Sequence, residues 1–276
     1  MKYGFVLSKG TPHEILRLAQ EAENAGWDGV FTWDAISLPD WPVYDPWVMM
    51  GALATVTERV TIGAMILPLS RRRPWKVVKE AVTIDHLSNG RLVLPVALGV
   101  TDDAGFHAVN TDSTDRRERA ERLDEVLEIL EKGQAGEPFS HSGKHFQVTE
   151  MTLLPKPVQE RIPVWAVAGW PKEKSLARAT RWDGIIPVNM TEGANAFDPV
   201  QPDMLREIVA WCEEHRERTT PFDVVIEGKS AGPDDTDYIG AVAEAGATWF
   251  IESRWDEAET PETLLERARK GPPRVP

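Results

Sequence analysis

Short apolar runs alternate with longer amphipathic stretches eight times between residues 3 and 269, and no other feature of the chain narrows its fold so far. The runs are rich in Val, Ile, Leu and Ala, as strands are when both faces are buried, and strand followed by helix is the pattern of a parallel sheet with helical crossovers. The spacing predicts strands at 3–7, 29–33, 60–67, 92–98, 163–167, 184–188, 222–227 and 248–252. Helices are predicted at 12–25, 46–57, 75–87, 114–132, 172–181, 203–218, 235–245 and 261–269. Eight such units can close on themselves, whereas an open doubly wound sheet generally has fewer. The expected fold class is α/β, a (β/α)₈ TIM barrel, and 276 residues match the ~250 usual for that fold as a single domain over 1–276.

Local signals agree with this division. Thr11, Pro12 and Glu14 make a capping box with a proline in the first turn, and Ile15, Leu18, Ala19 and Ala22 follow as a buried stripe up to Gly26. Asp45 precedes the second helix, Asn89-Gly90 stops the third, and Thr114 or Asp115 starts the fourth. Residues 134–160 break the rhythm with frequent Gly, Pro and His, and the spacing of Phe139, His145, Phe146 and Val148 suggests a small inserted hairpin.

Several function classes are disfavoured. A net charge of −13 repels a polyanion, so nucleic acid is not an expected partner. No run approaches the ~18 consecutive apolar residues of a membrane span. The apolar run at 3–7 is too short for a leader and reads as the first strand. The lone Cys212 lies on a helical stripe with Leu205, Ile208 and Val209 and reads as a buried, inert thiol. Together these point to a reducing cytoplasm. No metal is expected: His141 and His145 are four apart, but in a Gly-rich hairpin. Walker-type phosphate loops and G-x-S-x-G elbows are absent.

In such barrels the active site is built at the C-terminal ends of the strands. The residues due there include Trp33, Asp34 and Trp41 after strand two, Arg71 to Arg73 after strand three, Asp102 and Asp103 after strand four, Trp170 after strand five, Lys229 after strand seven, and Arg254 and Trp255 after strand eight. A mouth of tryptophan and basic groups suits a planar, partly anionic small molecule, through stacking and charge-assisted hydrogen bonds. A hydrolase built on Asp102 and Asp103 is a weaker alternative.

The stretch 60–99 resembles the bacterial-luciferase-like flavin oxidoreductases. It carries Pro68 in a loop after a strand, the step Arg73-Pro74, the run Ile84-Asp85-His86-Leu87-Ser88-Asn89-Gly90-Arg91 closing a helix, and Gly99 ending the next strand. Residues 22–34, 162–171 and 177–188 are similar to further parts of the family, so the likeness covers roughly 1–190 well and the rest loosely. It implies a monooxygenase or oxidoreductase that uses reduced FMN with oxygen, or the deazaflavin coenzyme F420, on a small organic substrate, and a possible homodimer. It places a cofactor ring on a bulge at Ile66-Leu67, often with a non-proline cis peptide, and beside Gly99 and Thr101. It places the phosphate near Ala168, Gly169, Trp170, Val188 and Asn189, with the start of the helix near Lys172 offering backbone N–H groups. Lys229 and Arg254 are alternative phosphate contacts. Asp34 is the catalytic candidate. Three positions depart from the family: Ala35 stands where many members have a proton-handling histidine, Leu98 where bacterial luciferase has an arginine, and Trp170 where others have glycine. These departures keep open a second reading, a barrel that binds a flavin or another small molecule without turnover.

Overall fold

The computed structural model describes residues 1–109, 112–194 and 198–275. Its strands are β1 (Lys2–Val6), β2 (Gly29–Thr32), β3 (Thr61–Ala64), β4 (Leu94–Val96), β5 (Phe139–Ser142), β6 (Gln147–Met151), β7 (Val164–Trp170), β8 (Gly184–Asn189), β9 (Asp223–Gly228) and β10 (Trp249–Glu252). Its helices are α1 (Pro12–Asn24), α2 (Pro46–Val56), α3 (Pro74–Ser88), α4 (Ala104–His107), α5 (Arg116–Gln134), α6 (Glu173–Ala179), α7 (Pro202–His215), α8 (Asp237–Glu244) and α9 (Pro261–Arg269). Eight parallel strands pair in the order β3-β2-β1-β10-β9-β8-β7-β4. The two ends meet through the parallel bridges Ile62 to Leu92 and Leu67 to Val96, so the sheet is closed. This is the (β/α)₈ barrel the sequence predicts.

The caps also form as expected. Thr11 and Glu14 complete the capping box, Asp45 accepts from the amides of Trp47 and Val48, and Asn89 ends α3 in the left-handed conformation at φ 53°. Asp115 rather than Thr114 caps α5, so that helix starts at Arg116.

Strands three and four are shorter than predicted for identifiable reasons. β3 leaves its ladder at a cis peptide between Met65 and Ile66, and the chain rejoins β4 only at Leu67. β4 contains Pro95, which has no N–H to donate. β7 runs on to Trp170, beyond the predicted 167, because Gly169 and Trp170 still pair with Val188 and Asn189. The short helix α4 and a 3₁₀ turn at Leu69–Arg71 were not legible as periodic patterns, being too brief to show one.

Inserted residues form the antiparallel hairpin β5–β6. Phe139 and Val148 pack on Ile129 of α5, and the Glu125 carboxylate accepts from the amides of Lys144 (2.8 Å), His145 (3.1 Å) and Phe146 (2.8 Å). His141 and His145 face Glu125 and Glu121. Asp85 is fully buried and clamps the following loop by accepting from the amides of Val158 and Gln159.

Two apolar layers fill the molecule. The outer one lies between strands and helices and contains Cys212, whose thiol burial pushes up to about 11. The inner one fills the barrel with Val6, Phe31, Met65, Val93, Trp165, Ile186, Val225, Trp249 and Ile251. Phe31, Trp165 and Trp249 contact one another at centroid distances of 5.2 to 6.2 Å. They fit because β1 and β2 carry glycine facing the rings: a Cβ on Gly4 would sit 2.5 Å from the Phe31 ring and 2.6 Å from Ile251, and one on Gly29 2.9 Å from Phe31. We predict that Gly4→Ala destabilises the fold by about 1–3 kcal/mol through overpacking. A lower urea midpoint with a changed near-ultraviolet tryptophan signal is the expected result, and an unchanged midpoint would show that the plug has slack.

Candidate active site at the barrel mouth

Strand alternation decides which side chains enter the barrel. On β9, Val225 belongs to the inner layer and Val224 and Ile226 to the outer, so Glu227 points inward at the mouth. The same parity turns Ser8, Trp33, Gly169, Val188 and Ser253 inward.

The loops after β2, β3 and β4 are tied together by charge. The Asp34 carboxylate is fully buried and accepts from Arg71 Nη2 at 2.7 Å and Arg72 Nη2 at 2.9 Å. The other arm of Arg71 reaches Asp103, which also accepts from the amides of Ile36 (3.0 Å), Ser37 (2.9 Å) and Gly105 (2.9 Å). Burial works to raise the Asp103 pKa, but these backbone N–H groups and the Arg71 guanidinium outweigh it and hold the carboxyl below its usual range. Arg71 and Arg119 both lie over Phe106, with guanidinium carbons 5.2 Å from the ring centroid. Arg119 also donates to the carbonyls of Leu98 (3.1 Å) and Gly99 (2.7 Å). Asp103 is thus the cap of α4, while Asp102 is exposed, so the two carboxylates do not form an acid–base pair.

The predicted cofactor residues divide by orientation. The cis bond lies at Met65-Ile66, one residue before the Ile66-Leu67 step that the resemblance implied. Ile66 is half-buried against the inner cluster, facing the mouth, whereas Leu67 is fully buried in the outer layer, because the bridge to Val96 turns it toward the helices. Gly99 takes φ 80°, and a Cβ there would meet Phe106 at 2.6 Å and Pro68 at 2.8 Å. Thr101 is exposed, and its carbonyl is 3.0 Å from His107 Nδ1. Ala168 is buried in the outer layer and Trp170 packs against that layer, so neither side chain enters the barrel. Gly169 faces inward and donates its N–H to Ser175 Oγ at 3.2 Å. Val188 is half-buried and inward-facing, while Asn189 accepts from the Thr191 amide and hydroxyl.

Other expected phosphate contacts are engaged elsewhere. Lys229 pairs with Asp256, and Arg254 with Glu252 (2.9 Å) and Glu259 (2.8 Å). The helix after Lys172 spans only seven residues and has Glu173 in its first turn. A different cation stands by the ends of β7 and β8. Arg116 places Nη2 3.5 Å from Met190 Sδ, beside Gly169, and has no carboxylate partner among the described residues. One sequence signal was available for it: Arg116 and Arg117 open α5, at the helix end where the macrodipole disfavours cations.

Opposite lies an aromatic wall. Trp33, Trp41 and Trp255 contact one another at centroid distances of 5.5 to 6.1 Å, and all three are half-buried. Glu227 beside them accepts from Ser253 Oγ (2.5 Å) and Trp255 Nε1 (3.3 Å). It was not singled out from the sequence, although a carboxylate at an inward position of a strand otherwise buried on both faces was a visible irregularity.

The half-buried Ile66, Val167 and Trp255 on top of the inner cluster, with Val188 beside them, leave a partly exposed apolar floor suited to a planar ring. An apolar floor beneath an aromatic and partly basic rim has the shape and chemistry to take a flat ring and a small organic molecule. The chain belongs to the luciferase-like monooxygenase family, whose model matches residues 3–264. It is 26% identical over 287 residues to an F420-dependent glucose-6-phosphate dehydrogenase of Beutenbergia cavernae, covering 93% of this chain and 83% of that protein. It is also 26% identical over 166 residues to the oxygenase component of a flavin-dependent trigonelline monooxygenase of Acinetobacter baylyi, which spans 59% of this chain but only 45% of the relative. Its fold superposes on a monooxygenase of Streptomyces bottropensis with a TM-score of 0.80 at 17% identity, covering 98% and 97% of the two chains. Among the described residues no helix is long and apolar enough to cross a membrane.

The charge tie makes a prediction. Asp34→Ala leaves two guanidinium groups without their shared counter-charge and should cost about 3–5 kcal/mol, with Asp34→Asn falling between. Urea denaturation at pH 7 measures it, and a loss below ~1 kcal/mol would show that the tie is not structural. The Asp103 contribution should persist from neutral pH down to about pH 4, since a lowered carboxyl pKa keeps its stabilisation until the pH falls through the folded-state value.

Proposed function

We propose that the chain is an oxidoreductase that holds F420 or FMN across the barrel mouth and acts there on a small organic substrate, as a single barrel domain in the cytoplasm. The observation that carries this reading is the partly exposed apolar floor of Ile66, Val167 and Val188 with the uncommitted Arg116 at its rim. The ring, when bound, supplies the redox chemistry, and the protein orients it and excludes water. Ile66 and Val188 touch the ring through side chains. Gly99, Thr101 and Gly169 lie at the rim and contribute backbone. Leu67, Ala168 and Trp170 support the platform from behind, with Asn189 shaping the loop at the phosphate end. Arg116 takes the cofactor phosphate through a charge-assisted contact. Asp34, with both oxygens committed to arginines, acts as a positioning residue for the loop carrying Trp33, and not as the proton donor.

Titration of the purified protein with F420 and with FMN, followed by visible absorbance and tryptophan fluorescence, tests the reading. At least one should bind, and Arg116→Glu should weaken it about tenfold, the loss of one charged hydrogen bond of roughly 1.5 kcal/mol. Failure of both to bind at high micromolar concentration would overturn the proposal. A barrel that binds without turnover is the second reading, favoured by Ala35 and by the engaged Asp34. It predicts a bound cofactor whose spectrum no organic substrate changes.

A homodimer through α2 and α3 belongs to the same proposal. α2 is apolar on nearly every side, Val48 is 71% exposed, and the 49% exposed Leu87 of α3 lies beside Gly51. Sedimentation should show a dimer that Val48→Glu converts to monomer. A wild-type chain that is monomeric at tens of micromolar would remove it.

A further inference from the structure

We propose that Glu227 and the tryptophan wall form a substrate subsite selective for a cationic nitrogen, an ammonium group or an N-alkylated aromatic ring. The inference rests on the reading of the barrel mouth as the active site and assigns the chemical class of what enters it. Glu227 is the inward-facing last-but-one residue of β9. Its Oε1 is fixed by Ser253 Oγ and Trp255 Nε1, and Oε2 has no hydrogen-bond partner among the described residues.

Among the described residues no Lys, Arg or His forms an ion pair with this carboxylate. Arg254, two residues after Glu252, turns back to Glu252 and Glu259. Lys229 turns outward to Asp256. Lys9 donates to the carbonyls of Asp256 (2.7 Å) and Glu257 (3.2 Å). Arg254 and Lys229 are thus paired with other carboxylates, Lys9 is held by two carbonyls, and a half-buried carboxylate is left open toward the mouth.

The same carboxylate touches an aromatic surface. Trp255 donates to Glu227 and lies 5.5 Å from Trp33 and 6.1 Å from Trp41. Indole faces attract cations, and the protein already uses one of them this way, with Lys9 Nζ 5.1 Å from the Trp41 centroid. A positively charged nitrogen placed between Oε2 and the exposed parts of Trp33 and Trp255 gains an ion pair and cation–π attraction together. An anionic substrate such as a sugar phosphate meets repulsion at the same place, where the neighbouring Lys229 and Arg254 are already paired with carboxylates.

The test uses the full chain and three probes of similar size: benzyltrimethylammonium, benzyl alcohol and phenylacetate, followed by calorimetry and tryptophan fluorescence. The ammonium should bind at least about tenfold more tightly than either other probe, and Glu227→Gln should remove that preference. Glu227→Asp, which keeps the charge, should restore part of it, and near-ultraviolet circular dichroism confirms that each variant folds. Equal or tighter binding of phenylacetate, no binding of the ammonium, or an ammonium affinity unmoved by Glu227→Gln would each overturn the proposal. F420 and FMN titrations run in parallel: if neither cofactor binds while the ammonium preference depends on Glu227, the redox reading falls and the cation subsite stands.

Discussion

The barrel depends first on the contact between Phe31, Trp165 and Trp249. Three large rings meeting at 5.2 to 6.2 Å fill the lower interior, and closure at this radius is possible only because Gly4 and Gly29 contribute no side chain there. The plug is also anchored by polar groups. Trp165 Nε1 donates to Asp223 Oδ2 at 3.1 Å, and Thr248 Oγ1 donates to the other oxygen of that carboxylate at 2.8 Å. What lies above the plug inherits its height. Ile66 and Val167 pack against the inner cluster these rings belong to, so the plug sets the depth of the mouth.

Much of this was legible in the sequence because it was periodic. The eight strand–helix units, the capping residues and the inserted hairpin each leave a repeating or punctuated signal over several residues. The site was less legible. Ile66 and Val188 face the mouth, whereas Leu67, Ala168 and Trp170 turn toward the helices, a matter of strand parity that depends on the cis step after β3 and on how far β7 runs. Lys229 and Arg254 read as free cations, yet Asp256, Glu252 and Glu259 engage them, and those pairings join residues whose proximity only the folded loops create. Arg116 stands out less in the sequence for the converse reason: its lack of a carboxylate partner among the described residues is a property of the folded surroundings.

Acidic composition takes on a more specific sense in the folded chain. Much of the negative charge is used internally, with Asp34 and Asp103 closing on Arg71, Glu125 holding the hairpin, and Glu252 pairing with Arg254 and Arg267 inside the barrel wall. Glu227 differs from these in facing the barrel mouth with one oxygen that no group among the described residues engages.

Arg71 joins carboxylates from the loops after β2 and β4, and the β2 loop also carries Trp33 and Trp41. Those three loops therefore form one heritable block: a new loop after β3 that lacked Arg71 and Arg72 would leave Asp34 buried without a counter-charge and Asp103 held by backbone amides alone. The ends of β9 and β10 hold Glu227 and Ser253 outside that tie. Descent with altered substrate choice is accordingly easiest through β9 and β10, where a single codon can change the charge met at the mouth while the arginine-bound half stays as it is.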